Sequence, residues 1–383
     1  MPNDSNQRFD VIVAGAGSVG SSALYHLARR GARVLGLEKS PNSPHVDGSH
    51  HGHSRMIRQA YFEHPDYVPL LRRAYQLWDE LQAGVEEPFF HVTGGLYIGP
   101  EKGAIVPGSL QAAREHQLEH VLAPATDFAQ RFPALHPPRE HLGFYEELGG
   151  FLVPEKAVTA HLHAAGRHGA VLETGQGLDS WQCHPDHVEV QAGGSTYRAD
   201  QLVITSGAGS AAAIAELGIR LEVTRQVLAW FEPLGARERF SPGNFPCWFI
   251  ETDTPYGHYG FPVLPGDPGL KVAQHKPGEP IDPAAPVEPP RPSELEELAA
   301  VLHEFFPDCA GELTHACTCK YTNSPDGHFI VGQHPRHERV NVACGLSGHG
   351  FKFSSVLGEI LADLALEGTT GLPAAFLGAD RFN

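Results

Sequence analysis

The sequence predicts an α/β protein, α+β overall. A nucleotide-binding sheet is assembled from both ends and the middle of the chain, and the insertions between those pieces build a second domain on a mixed, largely antiparallel sheet. Three observations carry this. Residues 9–40 read as strand, glycine turn, helix and strand. A second short apolar strand runs into a glycine turn at 200–210, and a third precedes a glycine-rich turn and a long helix at 340–366. Between them lie short alternating strands joined through Pro and Gly. The expected division is 1–85, 145–220 and 318–383 for the nucleotide domain, and 86–144 with 221–317 for a substrate domain.

In the first unit, residues 11–14 form an apolar run, and Gly15, Gly17 and Gly20 follow in G-x-G-x-x-G spacing. Leu24, Leu27 and Ala28 recur at helical intervals, and residues 33–37 start a second strand that ends in Glu38. The first glycine permits a tight turn, the second lets backbone approach a pyrophosphate, and the third lets helix pack close on strand. The helix start offers free N–H groups to phosphate, and Glu38 stands where a carboxylate accepts ribose hydroxyls. A carboxylate there excludes a 2′-phosphate and leaves NAD or FAD.

The 383 residues suffice for two or three cores, and 41% hydrophobic with 19% charged residues is ordinary for a globular protein. A formal charge of −17, with no basic stripe, excludes nucleic acid and an anionic membrane as partners. Six scattered cysteines are not a disulfide framework. The first eight residues read as a polar leader without a cleavage pattern, no run of about 18 apolar residues occurs, and the terminal Asp-Arg-Phe-Asn is not a peroxisomal address. A cytoplasmic enzyme is expected.

Residues 40–58 form a turn-rich loop with His45, His50, His51 and His53, whose spacing matches no usual metal-ligand pattern, so no metal is expected. Arg55 and Arg58, three apart, would share one helical face as a carboxylate clamp or a solvated surface. Residues 67–81 form an amphipathic helix with Leu70, Leu71, Ala74, Leu77, Trp78 and Leu81 inward. Helices are expected near 108–119 and 156–168, and strands at 170–173, 187–191 and 196–199. At 200–210 the strand and glycine turn precede an alanine-rich helix at 211–217. Simple NAD dehydrogenases do not need that segment, whereas many flavoproteins carry one, so the balance moves to FAD. Residues 221–231 and 247–273 read as β-rich, and 277–292 as a proline-dense surface connection. Ser293 with Glu296 reads as a capping box for a helix to about 306. The glycine turn at 345–350 enters a helix whose N-terminus would face the pyrimidine side of a flavin.

Four motifs together resemble one family: SHHGHSRMIRQAY at 49–61, YGFP at 259–262 followed by GLK and His275, CKYTNSPDGHFIV at 319–331, and GLSGHGFKFSSVLGEI at 345–360. They are similar to the monomeric sarcosine oxidase and N-methyltryptophan oxidase family, flavin-dependent amine oxidases of the D-amino-acid-oxidase fold group. The likeness covers essentially the whole chain in order. It implies a Rossmann-like FAD-binding domain of glutathione-reductase type and FAD held by a thioether to Cys319. Cys317, two residues away, would lie on the same strand face, so a C-x-C metal site or Cys317 itself as anchor stays open, with the motif register favouring Cys319.

The resemblance further implies Lys271 as the group that promotes reaction with O2, and Arg58 with Lys352 as the clamp on the substrate carboxylate. It places His51, Ser54 and Arg55 beside the flavin, Gly348, Gly350 and Lys352 in the C-terminal cofactor turn, and Tyr259 and His275 on the substrate side. His328 and His349 are read as structural. Two departures are noted: His53, where relatives often carry an acidic or other polar residue, and one extra residue between YGFP and Lys271. The expected function is oxidation of small N-methyl amino acids such as sarcosine, giving an aldehyde and H2O2, by a monomer. N-methyl-L-tryptophan or a cyclic imino acid of pipecolate type is the alternative substrate. Outside the family, an NAD-dependent dehydrogenase has no use for Cys319, and a non-catalytic flavoprotein has no use for Lys271 or the clamp.

Overall fold

A computed structural model describes residues 8–382 except 47, 254 and 255. The expectations for residues 1–7 and for Asn383 lie outside the described residues, while Arg8, read as the end of the leader, already opens the first strand, Arg8–Ala14.

An eight-stranded sheet runs in the order Leu178–Cys183, Val188–Ala192, Ser195–Ile204, Arg8–Ala14, Val34–Glu38 and Val171–Thr174, and His337–Cys344 and Ile330–His334 extend it from the far half of Ser195–Ile204. Parallel pairing sets Ala14 level with Leu37 and with Ile204, and Ile204 level with Val342. The carboxyl ends of four strands therefore open on one edge, where ligands of such sheets bind. Helix Ser18–Arg29 buries Val19, Leu24 and Leu27 and lies against helices Pro154–Arg167 and Ser354–Glu367. Helix Val68–Gln82 covers the last of these, with Trp78 Nε1 donating to Lys352 O at 2.9 Å.

A nine-stranded sheet contains Glu222–Phe231, Leu270–His275, Tyr256–Gly260, Cys247–Asp253, Gly95–Pro100, His141–Glu146 and Val121–Pro124 in that order, with Leu313–Asn323 and Glu279–Pro280 also paired to the first of these. It is antiparallel except where Cys247–Asp253 meets Gly95–Pro100. The mixed α/β architecture agrees with the expected fold class. A small sheet of Arg55–Ile57, Phe90–Val92 and Gly150–Leu152 lies between segments of both parts. Strand Leu313–Asn323 runs unbroken across the expected boundary at 317/318 and pairs with Glu222–Phe231 to its last residue. We propose that the domain division belongs after Asn323.

Four local readings are corrected. Residues 196–204 are one strand, because pairing with Val188–Ala192 gives way directly to pairing with His337–Cys344. The alanine-rich segment after it holds only a single α-turn, Ser210–Ala213, between 3-10 turns. Arg55 starts a strand, Arg55–Ile57, so Arg55 and Arg58 do not share a helical face. Helix Pro292–Phe305 is capped two residues earlier than Ser293 and Glu296 suggest: Glu294 accepts from Arg291 N at 2.7 Å. The proline-rich connection is mostly exposed, as expected, and its residues 282–287, 289 and 290 also line the main cavity; Arg225 holds it by donating to Glu288 O and Pro289 O and pairs with Glu294.

Candidate active site

The turns that follow the four strand ends enclose one elongated cavity of about 1900 Å³. Gly15, Gly17, Ser18, Glu38, Thr205 and Ser206 line it, as do Gly52, Arg55, Cys317, Tyr321, Gly348 and Gly350. Backbone crowding explains the first glycines. A Cβ on Gly15 would stand 2.6 Å from Thr205 O, and one on Gly20 1.7 Å from Gly15 O. Gly20 thus packs the turn against its helix and does not reach the cavity. The helix that follows has Gly17 as N-cap, no side-chain cap and no acidic residue in its first turn, which leaves its N–H groups and positive end for an anion.

Glu38 is buried. Its Oε2 accepts from Ala16 N and its Oε1 from Ser40 N, both at 2.9 Å, with His45 Nε2 at 3.4 Å. Burial alone would raise this carboxyl, but His45 and the two N–H donors override it and hold Glu38 below its ordinary value, an ionised acceptor.

The loop from Ser49 to Arg55 forms another wall. Arg55 donates to Ser54 O at 2.8 Å and to Ser49 O at 3.1 Å. His51 is buried, its Nε2 has no partner, and burial drives it down to about 4, so the ring is neutral. Ser54 is buried behind the wall. Its carbonyl and that of Gly52 accept from Lys271 Nζ at 2.8 and 2.7 Å. The Lys271 ammonium lies 5.0 Å from the Phe261 ring centroid and 5.5 Å from that of Trp230, and burial, reinforced by Arg55, holds it well below the ordinary lysine value. Glu155, which the sequence did not single out, fixes this loop by accepting from Gly52 N at 2.6 Å and His53 N at 3.2 Å. His53 adopts φ 65°, packs edge-on to Trp230 and lies 3.5 Å from Asp267.

Cys317 and Cys319 occupy alternate positions of strand Leu313–Asn323. Cys317 is half-buried and lines the cavity, whereas Cys319 is only 3% exposed and packs with Leu228, Trp230 and Ala273 against Tyr259 and Tyr321. Burial raises both thiols, and Arg55 and Lys271 pull each the other way. Both therefore belong to the neighbourhood of those cations.

Arg58 and Lys352 are buried against one aromatic ring, Tyr61, and neither lines the large cavity. Arg58, 3% exposed, reaches Glu63 Oε1 and Oε2 at 2.6 Å and stacks on Phe62 at 4.2 Å and Tyr61 at 4.9 Å. Lys352, 5% exposed, donates to His349 O at 2.8 Å and lies 5.1 Å from the same Tyr61 ring. Burial, helped by Arg58 and opposed by Glu63, lowers Lys352 to about 7. His275 feels Glu63, Arg58 and Lys352, and burial lowers it to about 4. It packs edge-on to Phe249, which stacks on Tyr259. Phe231, Phe245 and Trp248, from the same β-rich segments, belong to the core of the nine-stranded sheet. His349, read as structural, accepts from or donates to Tyr61 through Nδ1 and holds Lys352 through its carbonyl. Glu63 was missed: a lone acidic residue in a loop carries no sequence signal.

A family model described as FAD dependent oxidoreductase (DAO) matches residues 10–364. The chain belongs to that family. It is 42% identical to a monomeric sarcosine oxidase from Streptomyces avermitilis over 375 residues, covering 97% of each chain. It is 36% identical to an N-methyl-L-tryptophan oxidase from Salmonella arizonae over 379 residues, covering 98% of this chain and all of the other. NikD, an unusual amino acid oxidase essential for nikkomycin biosynthesis, superposes with a TM-score of 0.84 at 26% identity over 97% of this chain and 98% of its own. L-Proline dehydrogenase from P. horikoshii, 20% identical over 98% of each chain, shares the fold at the same TM-score. The chain is thus an FAD-dependent amine oxidase of the sarcosine oxidase and N-methyltryptophan oxidase type, an oxidoreductase acting on CH–NH donors.

The residues present fit FAD. Glu38 and the helix start after Gly17 suit a ribose and a pyrophosphate. Two buried polar atoms of wall residues, His51 Nε2 and Thr322 Oγ1, have no protein partner. A Cβ on Gly348 would strike the Tyr321 ring at 2.2 Å, so that turn admits no side chain where it meets the wall. Among the described residues no helix is long and apolar enough to cross a membrane.

Proposed function

We propose that the chain oxidises small secondary amino acids of the N-methyl class, sarcosine foremost, with O2 as acceptor. The products are the primary amino acid, an aldehyde and H2O2. The observation that carries this reading is the buried pair Arg58 and Lys352, set 4.9 and 5.1 Å from one Tyr61 ring. Two donors of this kind suit one carboxylate, and the fork of Arg58 fixes its plane. Holding the carboxylate there orients the amine, and positioning of this order contributes several kcal/mol, roughly 7–11 at its upper limit. Phe249, Tyr259 and the neutral His275 give an apolar wall that favours the neutral amine, the form with a lone pair to release. Bound FAD supplies the two-electron acceptor. Water then hydrolyses the imine.

On this reading Lys271 supplies positive charge where O2 is reduced, Cys319 is the thioether anchor, and Arg55 with His51 packs beside the cofactor. The enzyme works as a monomer. On this reading sarcosine is favoured over N-methyl-L-tryptophan, because the Phe62, Tyr61 and Tyr97 rings pack directly on Arg58. The test is a peroxide assay across sarcosine, N-methyl-L-alanine, L-pipecolate and N-methyl-L-tryptophan. Highest kcat/KM for sarcosine supports the reading. A maximum at N-methyl-L-tryptophan, or no peroxide with any of them, refutes it.

A further inference from the structure

We propose that Glu216, His334 and His337 form a binding site for one divalent transition-metal ion of the zinc class. His334 and His337 flank the tip of the hairpin formed by Ile330–His334 and His337–Cys344, and Glu216 projects from the 3-10 turn Ala215–Leu217. The three donor atoms lie within 4.8 Å of one another. One carboxylate oxygen, Glu216 Oε1, stands 3.0 Å from His334 Nε2 and 2.9 Å from His337 Nε2. Trp181 meets both rings edge-on at 5.7 and 5.1 Å and closes one side.

The direction of approach points to an ion. His334 is 2% exposed and its Nε2 has no hydrogen-bond partner, although Glu216 Oε1 is at hydrogen-bond distance. The ring nitrogen is therefore aimed off the line to the oxygen. Two donors each about 2.1 Å from a shared zinc stand roughly 3.0–3.4 Å apart, with each lone pair turned about 40° away from the other donor. An off-line contact at 3.0 Å is the geometry of two ligands of one ion, and a poor one for a hydrogen bond. Two imidazoles and a carboxylate are a borderline set that suits zinc, cobalt or copper better than calcium or magnesium. Glu216 and His337 also line the large cavity, which leaves a fourth position for water.

One contact opposes loading. Arg336 N donates to His334 Nδ1 at 3.2 Å, so the metal-free ring carries its proton on Nε2. Capture at Nε2 moves that proton to Nδ1 and gives up this long bond. Glu216 and His337 are thus the anchors and His334 the weaker third ligand.

The test uses the FAD-loaded full chain, stripped with chelator and titrated with ZnCl2 by calorimetry. One equivalent is expected to bind in the micromolar range or tighter. Glu216→Gln and His337→Ala each weaken it at least about tenfold. Both side chains are partly exposed, at 40% and 28%, and unchanged metal-free melting curves verify the variants' folds. His187→Ala, in the separate His184, His187 and Glu189 cluster, should leave binding intact. X-ray absorption of the zinc-loaded wild type, which needs no variant, should read nitrogen and oxygen ligands at about 2.0–2.2 Å. Absence of stoichiometric uptake, uptake that survives both anchor variants, loss in His187→Ala, or a sulfur ligand each overturns the proposal.

Discussion

Lys271→Met separates the two halves of the proposed reaction. Methionine keeps the length of the side chain and its contacts with Trp230 and Phe261, while removing the charge. The fold should tolerate this, because both carbonyls that lose the ammonium keep another donor: Gly52 O accepts from Ser54 N at 2.8 Å and Ser54 O from Arg55 Nη1 at 2.8 Å. The stability loss is then about 1–3 kcal/mol, that of the two hydrogen bonds removed. The chemical effect is larger. A unit charge about 4 Å from nascent superoxide, at an effective dielectric near 20, is worth about 4 kcal/mol, or roughly a thousandfold in rate. Arg55, also near Lys271, retains part of that field, so a fall of about 10²–10³ is expected. Lys271 contacts Gly52, Ser54, Trp230 and Phe261 and neither Arg58 nor Lys352, so substrate-driven reduction should change by no more than a few-fold. Stopped-flow traces of anaerobic reduction and of reoxidation by O2 read the two rates separately. Equal slowing of both, or unimpaired reoxidation, would remove Lys271 from the oxygen step.

Cys319→Ser should release yellow cofactor into the supernatant on acid precipitation while Cys317→Ser keeps a yellow pellet; the opposite pair of results moves the anchor to Cys317. Glu63→Gln should tighten binding of acetate to the oxidised enzyme severalfold, since Arg58 loses the carboxylate that competes for it, and should lower the melting temperature; weaker acetate binding sinks the idea of competition. Acid should unfold the protein through His26 and His161, buried groups that burial lowers, His26 to about 3 and His161 well below its ordinary value. The folded state leaves both neutral while the unfolded chain protonates below about pH 6.5, so stability is full above that pH and falls by up to about 1.4 kcal/mol per pH unit for each histidine below it. Urea titrations at pH 7.5, 6.0 and 5.0 read that slope, and a His161→Gln variant with undiminished slope would count against it.

The nucleotide half of the fold was legible because its signals are local. Gly15, Gly17, Gly20 and Glu38 are specified by one turn and one strand length, and the structure places Glu38 against Ala16 N as that geometry requires. What failed was anything decided by a distant partner. Arg55 and Arg58 looked helical on spacing, yet residues 55–57 pair with Gly150–Leu152, nearly a hundred positions away, and pairing at that separation leaves no periodicity to read. The proline-rich connection likewise gave no hint that Arg225 would draw it over the cavity.

The site shows the same limit in sharper form. Motifs named the cations Arg58, Lys271 and Lys352, but buried cations need compensation, and the carboxylates that take part in it, Glu63 and Glu155, lay in no motif. Burial alone would raise Glu63, yet Arg58, aided by His349 and Lys352, overrides it and holds that carboxyl at about 2. The carbonyls of Gly52 and Ser54 serve Lys271, and Glu155 in turn holds the Gly52 loop. These partners set how much charge each cation presents. Arg58 with Glu63 attached presents little to a second carboxylate, so a substrate acid must either displace Glu63 or share the guanidinium through its remaining donors. On the proposed reading, selectivity for a small acid would follow from space as much as from charge, since the Phe62, Tyr61 and Tyr97 rings pack around Arg58 and Phe249 stacks on Tyr259.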